Sequence, residues 1–265
     1  MSPRKNTLDG LKNRDRSRER HIMEYGYKSK FVTFNELHWD TDFFGISCAK
    51  AILKESLQKD EWDELKSQFS HYEFVSIENS YSNPINAKYI GMETKAFLAD
   101  VNIQFRKALT AVDGMPSNVK MFQAMKYDNR ILEISDFQFS KFINDPEFAK
   151  RNGADVYRQW LRNSFEKPGK FFAISENTQG KLNGYVLYSY NDKSCIIELI
   201  AVTDMVKRSG IGSSLFQAVE SAAIDKGCNE IKVGTQLRNL QAINFYIKRG
   251  CVQTECHQIY HLWNC

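Results

Sequence analysis

The segment Lys207-Arg208-Ser209-Gly210-Ile211-Gly212 puts two glycines and two cations between an apolar run, Cys195 to Val202, and an amphipathic one, Ser213 to Asp225. Backbone N–H groups that open a helix lack intrahelical acceptors, and the helix dipole adds positive potential, so such a loop suits an anion such as phosphate. It is neither GxxxxGK[ST] nor a full GxGxxG, and a tight strand-to-helix turn is the alternative these residues leave open. Glu198 is the only carboxylate inside the apolar run. Asn239 and Tyr246 lie seven apart in a stretch of helical spacing, and therefore share a helical face. The six cysteines contain no CxxC pair, and the Cys and His spacings fit no zinc pattern. His257 and His261 are four apart in what reads as a strand, which argues against a metal site or a histidine base.

Holding these groups in place requires a strand, a glycine turn and a helix. Ser213 to Asp225 supplies one helix, with Leu215, Val219, Ala222 and Ala223 on one face and Gly227 as its stop. Glu230 to Gly234 reads as a strand, Asn239 caps a helix running to about Arg249 with Gly250 beyond it, and Glu255 to Trp263 reads as a last strand. Upstream, strands are expected at Phe31–Phe34, Glu73–Ile77, Asp100–Phe105, Ile131–Ile134, Phe171–Ile174 and Tyr185–Tyr190. Helices are expected over Leu53–Phe69 and over Asp155–Phe165, the latter with Val156, Trp160 and Leu161 inward. The aromatic group Trp39, Phe43 and Phe44 is expected to be core rather than a stacking platform. No internal repeat or low-complexity segment is evident.

With 265 residues, 42% hydrophobic and 26% charged, the chain is an ordinary globular composition that can bury a core. No apolar run approaches the roughly 18 to 20 residues that span a bilayer. Lys plus Arg number 36 against 32 Asp plus Glu, a net of +4 too dispersed to argue for nucleic acid. Residues 1–30 hold nine Lys or Arg and four acids, read as a disordered basic extension or an over-extended reading frame starting at Met23. Turn formers at 113–118 mark a boundary between a domain over 31–115 and another over 120–265.

Two spaced motifs resemble the GNAT superfamily of N-acetyltransferases. Ile200-Ala201-Val202 followed by Lys207-x-x-Gly210-x-Gly212 is similar to its acyl-CoA loop, with Lys where Arg or Gln is usual, and Asn239, Ala242, Tyr246 and Gly250 match its second motif. Leu37-His38-Trp39-Asp40-Thr41-Asp42-Phe43-Phe44-Gly45, Ser140-Lys141-Phe142 with Asp145-Pro146, and Val233-Gly234-Thr235-Gln236 resemble the sugar-nucleotide branch typified by TDP-fucosamine acetyltransferase.

The resemblance implies an α/β chain: a C-terminal GNAT fold, with a mixed, strongly twisted sheet and flanking helices, plus a smaller N-terminal α/β domain. It implies acyl-CoA as cosubstrate, held by Lys207, Arg208, Ser209, Gly210, Ile211 and Gly212 at its phosphates, by the backbone of Ile200 and Val202 along its pantetheine, and by Asn239. Tyr246 becomes the acid that protonates the departing thiolate, and Glu198 the base that takes the amine proton. Implied partners are acyl-CoA and a dTDP-amino sugar, without nucleic acid or membrane; a homodimer is compatible. The implied activity is cytosolic N-acylation of a dTDP-linked amino-dideoxyhexose for a surface polysaccharide precursor, without a metal. The rivals are an amino acid, peptide or antibiotic amine as acceptor, and a non-catalytic acyl-CoA sensor.

Overall fold

The computed structural model describes residues 27–28, 30–110, 114–135 and 137–264; the expectation for the first 26 residues lies outside them. The strands are β1 (Tyr27–Lys28), β2 (Val32–Glu36), β3 (Cys48–Leu53), β4 (Phe74–Asn79), β5 (Phe97–Ala108), β6 (Lys120–Gln123), β7 (Phe171–Glu176), β8 (Leu182–Asn191), β9 (Ser194–Val202), β10 (Glu230–Gln236) and β11 (Val252–Trp263). The helices are α1 (His38–Phe44), α2 (Lys59–Phe69), α3 (Pro84–Glu93), α4 (Asn129–Glu133), α5 (Lys141–Asn144), α6 (Pro146–Ala149), α7 (Val156–Ser164), α8 (Ile211–Asp225) and α9 (Leu240–Lys248). All strands join one sheet in the order β1-β2-β3-β4-β11-β5-β10-β9-β8-β7-β6, with β3–β4 and β9–β10 parallel and the other pairs antiparallel. The mixed sheet with flanking helices is the expected fold. Among the described residues no helix is long and apolar enough to cross a membrane.

A repeat invisible in the residues is present in the topology. The path β2-β3-α2-β4-α3-β5 is retraced by β8-β9-α8-β10-α9-β11, and in each copy the second and third strands are parallel. The last strand of each copy crosses over: β5 pairs with β10, β11 pairs with β4, and the two pair with each other. β5 precedes the turn-rich segment at 113–118 yet lies beside β10, so the sheet runs unbroken between the halves. Exchanging these strands leaves neither copy with an open edge at the centre.

One sheet face carries two clusters. Val101, Ile103 and Phe105 of β5 pack with Leu215 and Val219 of α8 and Tyr246 of α9, and Ala49, Ala51, Val75 and Ile77 pack on Trp62, Leu65 and Phe69 of α2. The opposite face is covered at its two ends by the segment α4–α7, where Leu132 and Leu161 meet Tyr185 and Leu187, and Phe148 meets Phe44 and Phe74.

Four local expectations change. Ile131–Ile134 is not a strand: Asp128 accepts the backbone N–H of Arg130 at 3.0 Å and caps α4, whose Ile131 and Leu132 are buried. Leu53–Phe69 is not one helix, because Cys48–Leu53 alternates into a strand and the helix starts only at Lys59, with Gln58 and Glu61 forming a capping box. Trp160 faces outward, 39% exposed and stacked on Tyr157, while Val156 and Leu161 are buried. The aromatic group divides. Phe44 is core, 4.3 Å from Phe148 between ring centroids, whereas Trp39 stacks on Phe43 and is 39% exposed.

Candidate functional site

β9 and β10 pair only from Ser194↔Glu230 to Ile197↔Val233. Glu198 is then an extra residue against β8, where Leu187 faces Leu199 and Tyr188 faces Ile197, a bulge that turns β9 away from its neighbour. From Glu198 to Val202, β9 stays bonded to β8 on one side, while Gly234–Gln236 of β10 is bonded to β5. The strand edges between them are open. An extended chain can add to such an edge through main-chain hydrogen bonds.

This opening is a cleft of about 990 Å³. Glu198, Ile200, Val202, Lys207, Arg208, Gly210, Gly212, Asn239 and Tyr246 all line it. Gly210 has φ +89°, the left-handed region open to glycine at little cost, and begins α8. The amides of Ile211, Gly212 and Ser213 open α8, where no intrahelical acceptor exists. A Cβ on Gly212 would lie 3.4 Å from the Phe245 ring and 3.7 Å from Val202, so glycine keeps this approach narrow but open. Two predicted loop residues do not line the cleft. The Ser209 hydroxyl donates back to the Val206 carbonyl at 2.6 Å, and Ile211 packs on the core. Lys207 is exposed and ion-paired with Asp204.

Asn239 caps α9 by accepting the Ala242 N–H at 3.1 Å, which leaves its amide nitrogen for a ligand. Tyr246, one face along, is 2% exposed beside Phe105 and Phe245. Burial pushes its phenol above the ordinary value, so it stays protonated, and its hydroxyl has no hydrogen-bond partner among the described residues. Glu198 is less free. Lys170 Nζ holds both carboxylate oxygens at 2.6 and 2.7 Å, and the Ser189 hydroxyl donates at 2.5 Å. Among the described residues no group of three His, Cys, Asp or Glu side chains is placed to hold a metal ion.

A second cavity of about 690 Å³ lies on the other sheet face, between the two halves. It meets the cleft at Asn102, Tyr157 and Gln236, which line both. Asn102 stands between His257 and Gln236 across three neighbouring strands, and Ser140 and Gln236 are close enough to the Tyr157 hydroxyl to favour its ionised form against the effect of burial. Sequence reasoning missed this groove, because its walls come from β3, β4, β5, β10, β11, α5 and α7. The alternation of Asp100, Asn102, Gln104 and Arg106 opposite Val101, Ile103 and Phe105 was the available signal.

Residues 129–251, just under half of the chain, match the Acetyltransferase (GNAT) family, and the open strand pair, glycine loop and capped helix lie within that span. Among relatives, the chain is 34% identical over 117 residues to the uncharacterized protein YdhI of Bacillus subtilis (strain 168), covering 44% of this chain and 65% of that one. It is 24% identical over 127 residues to the spore coat polysaccharide biosynthesis protein SpsD of the same organism, covering 48% of this chain and 44% of that one. The chain thus spans roughly half to two thirds of these relatives' length. Of solved structures, a tandem GNAT protein from the clavulanic acid biosynthesis pathway shares the fold, with a TM-score of 0.55 at 10% identity over 89% of this chain and 85% of the other.

Proposed function

We propose that this protein is a CoA-dependent N-acyltransferase acting on the amine of a dTDP-linked amino-dideoxyhexose, in cytosolic synthesis of a polysaccharide precursor. The observation that carries the acyl-CoA part is the separation of β9 from β10 beyond Ile197, directly beside the amides that open α8. In this reading the α8 amides take the pyrophosphate, the open edge of β9 pairs with the pantetheine, and a β9 backbone N–H polarises the thioester carbonyl. Tyr246 gives its proton to the departing thiolate.

The acceptor enters from the opposite face through the groove, and its amine reaches the thioester at Asn102, Tyr157 and Gln236. Support for a sugar nucleotide comes from the resemblance of residues 37–45 and 140–146 to that branch, and from a distant relative whose name concerns spore coat polysaccharide. The test is incubation of purified protein with acetyl-CoA and a panel of dTDP-amino sugars, following free thiol. Thiol release that requires the sugar amine is expected; release with other amines but no sugar, or none with any amine, overturns the reading.

A further inference from the structure

The groove between the halves is rich in charge, and most of that charge is already matched. Lys50 pairs with Glu78 at 2.8 Å, Arg106 and Lys232 both pair with Glu230, and Glu255 meets Nε2 of His257 at 2.9 Å. His257 is fully used, since its Nδ1 accepts the Tyr81 N–H at 3.3 Å. Two groove residues remain, Lys141 and Asp100. Both are half-buried, and neither has an opposite charge within 4.0 Å among the described residues.

Lys141 begins α5 and lies over the Phe142 ring at 5.2 Å. Burial, and then the charge of Lys50, lower its pKa to about 8, against the opposing pull of Asp40, Asp100 and Glu78. Its ammonium is thus held in a partly desolvated place beside a second cation, an arrangement that an incoming anion would relieve. Asp100 is on β5, two residues from Asn102 on the same face, and within electrostatic reach of Tyr157. Burial raises its carboxyl above the ordinary value, although the Val101 N–H donates to it at 2.8 Å and Lys141 and Arg238 oppose the rise.

The order along the groove is informative. Asn102, Tyr157 and Gln236 border the cleft, Asp100 stands one strand from β10, and Lys141 looks toward Lys50 on β3, three strands beyond β5. Taking the acceptor to bind in the groove, as proposed above, we infer that Asp100 deprotonates its amine while Lys141 binds an anionic group farther along the same molecule. The acceptor class is therefore an amine that also carries a phosphate or a carboxylate. In the step itself, an N–H proton of the ammonium passes to a carboxylate oxygen of Asp100. The freed nitrogen pair forms the C–N bond at the thioester carbonyl, the C–S bond breaks, and sulfur leaves with the Tyr246 proton. The second N–H proton returns through solvent to Tyr246.

The experiment uses the full chain with acetyl-CoA and three amines: dTDP-4-amino-4,6-dideoxyglucose, the neutral methyl glycoside of the same amino sugar, and 4-aminobutyrate. Lys141→Met should raise KM for the anionic acceptor by at least about tenfold with kcat within about twofold, as expected for a charged hydrogen bond lost equally from ground and transition states. KM for the neutral glycoside and the dissociation constant for acetyl-CoA should not move, and Lys141→Arg should recover most of the loss. An effect confined to the nucleotide sugar assigns the anion as diphosphate, and one confined to 4-aminobutyrate assigns it as carboxylate. Asp100→Asn should lower kcat on the order of 10²-fold with little change in KM. Equal losses for charged and neutral amines, or an unmoved KM in Lys141→Met, overturn the anion site, and normal kcat in Asp100→Asn overturns the base. If the wild type acylates none of these amines, the acceptor reading and the Asp100 step fail together. Calorimetric binding of the dTDP-amino sugar then decides Lys141: weaker binding in Lys141→Met keeps the anion site, and equal binding removes it.

Discussion

Glu198 sits on the bulge of β9 and holds the ammonium of Lys170, from the loop before β7, at 2.6 and 2.7 Å through its two oxygens. The side chains are 8% and 27% exposed. Both oxygens of this carboxylate are already held by donors, Lys170 and Ser189, so neither is free to meet an amine. Glu198→Gln should therefore lower stability by about 1 to 3 kcal/mol while kcat falls by less than about tenfold. Melting curves and steady-state rates on this variant check it; a loss near 10³ in kcat at unchanged melting temperature would support Glu198 as the base.

Tyr246→Phe removes one hydroxyl to which no described residue is hydrogen-bonded. Because no partner is left unsatisfied, stability should change by no more than about 0.5 kcal/mol. The rate should fall by the 10² to 10⁴-fold typical of losing a general acid, with dissociation constants for acyl-CoA and acceptor nearly unaltered. Normal kcat would take the acid role away from Tyr246.

At Gly212 the space for a side chain is bounded by Phe245 and Val202. Valine's branched carbons would press on that ring and stand in front of the α8 amides, so Gly212→Val should raise the acyl-CoA dissociation constant and leave acceptor binding nearly intact. Titration calorimetry with each ligand separates this from general damage, in which both affinities would drop together.

The pH dependence of stability should carry the mark of His261. It is fully buried and its Nδ1 lies 2.6 Å from the Asp145 carboxylate. Burial lowers its pKa from 6.5, an effect that the Asp145 hydrogen bond only partly offsets and the Lys141 charge reinforces. The folded state thus favours the neutral ring, and the unfolded chain binds the proton first. Stability is kept above about pH 6.5 and declines as pH falls below it. Asp145 adds nothing in that window: burial raises its pKa, but hydrogen bonds from His261, Trp263 and the Glu147 N–H outweigh this and hold it below 3.8. Melting temperature should drop between pH 7 and 5, and drop less in His261→Gln, which has a donor but does not titrate. Equal slopes for the two proteins would assign the acid sensitivity elsewhere.

The cleft was legible in the sequence because its parts are local. A glycine loop, an apolar run before it, an asparagine cap and a tyrosine one helical face along are short-range patterns that helix and strand geometry convert directly into positions. The same locality explains the failures at Ile131–Ile134 and Leu53–Phe69, where short apolar runs fit either period and capping residues at Asp128 and Gln58 decided the outcome.

Tertiary structure alone decided where β9 leaves β10, since that follows from a bulge opposite β8 and from β5 occupying the far side of β10. It alone placed Asp100 and Lys141 in one groove, 41 positions apart on β5 and α5. The duplicated topology also appeared only there, because strand order depends on which hydrogen-bonding edges meet. Those meetings join β5 to β10 and β11 to β4 across more than 100 residues, a separation at which no periodicity in the chain carries information.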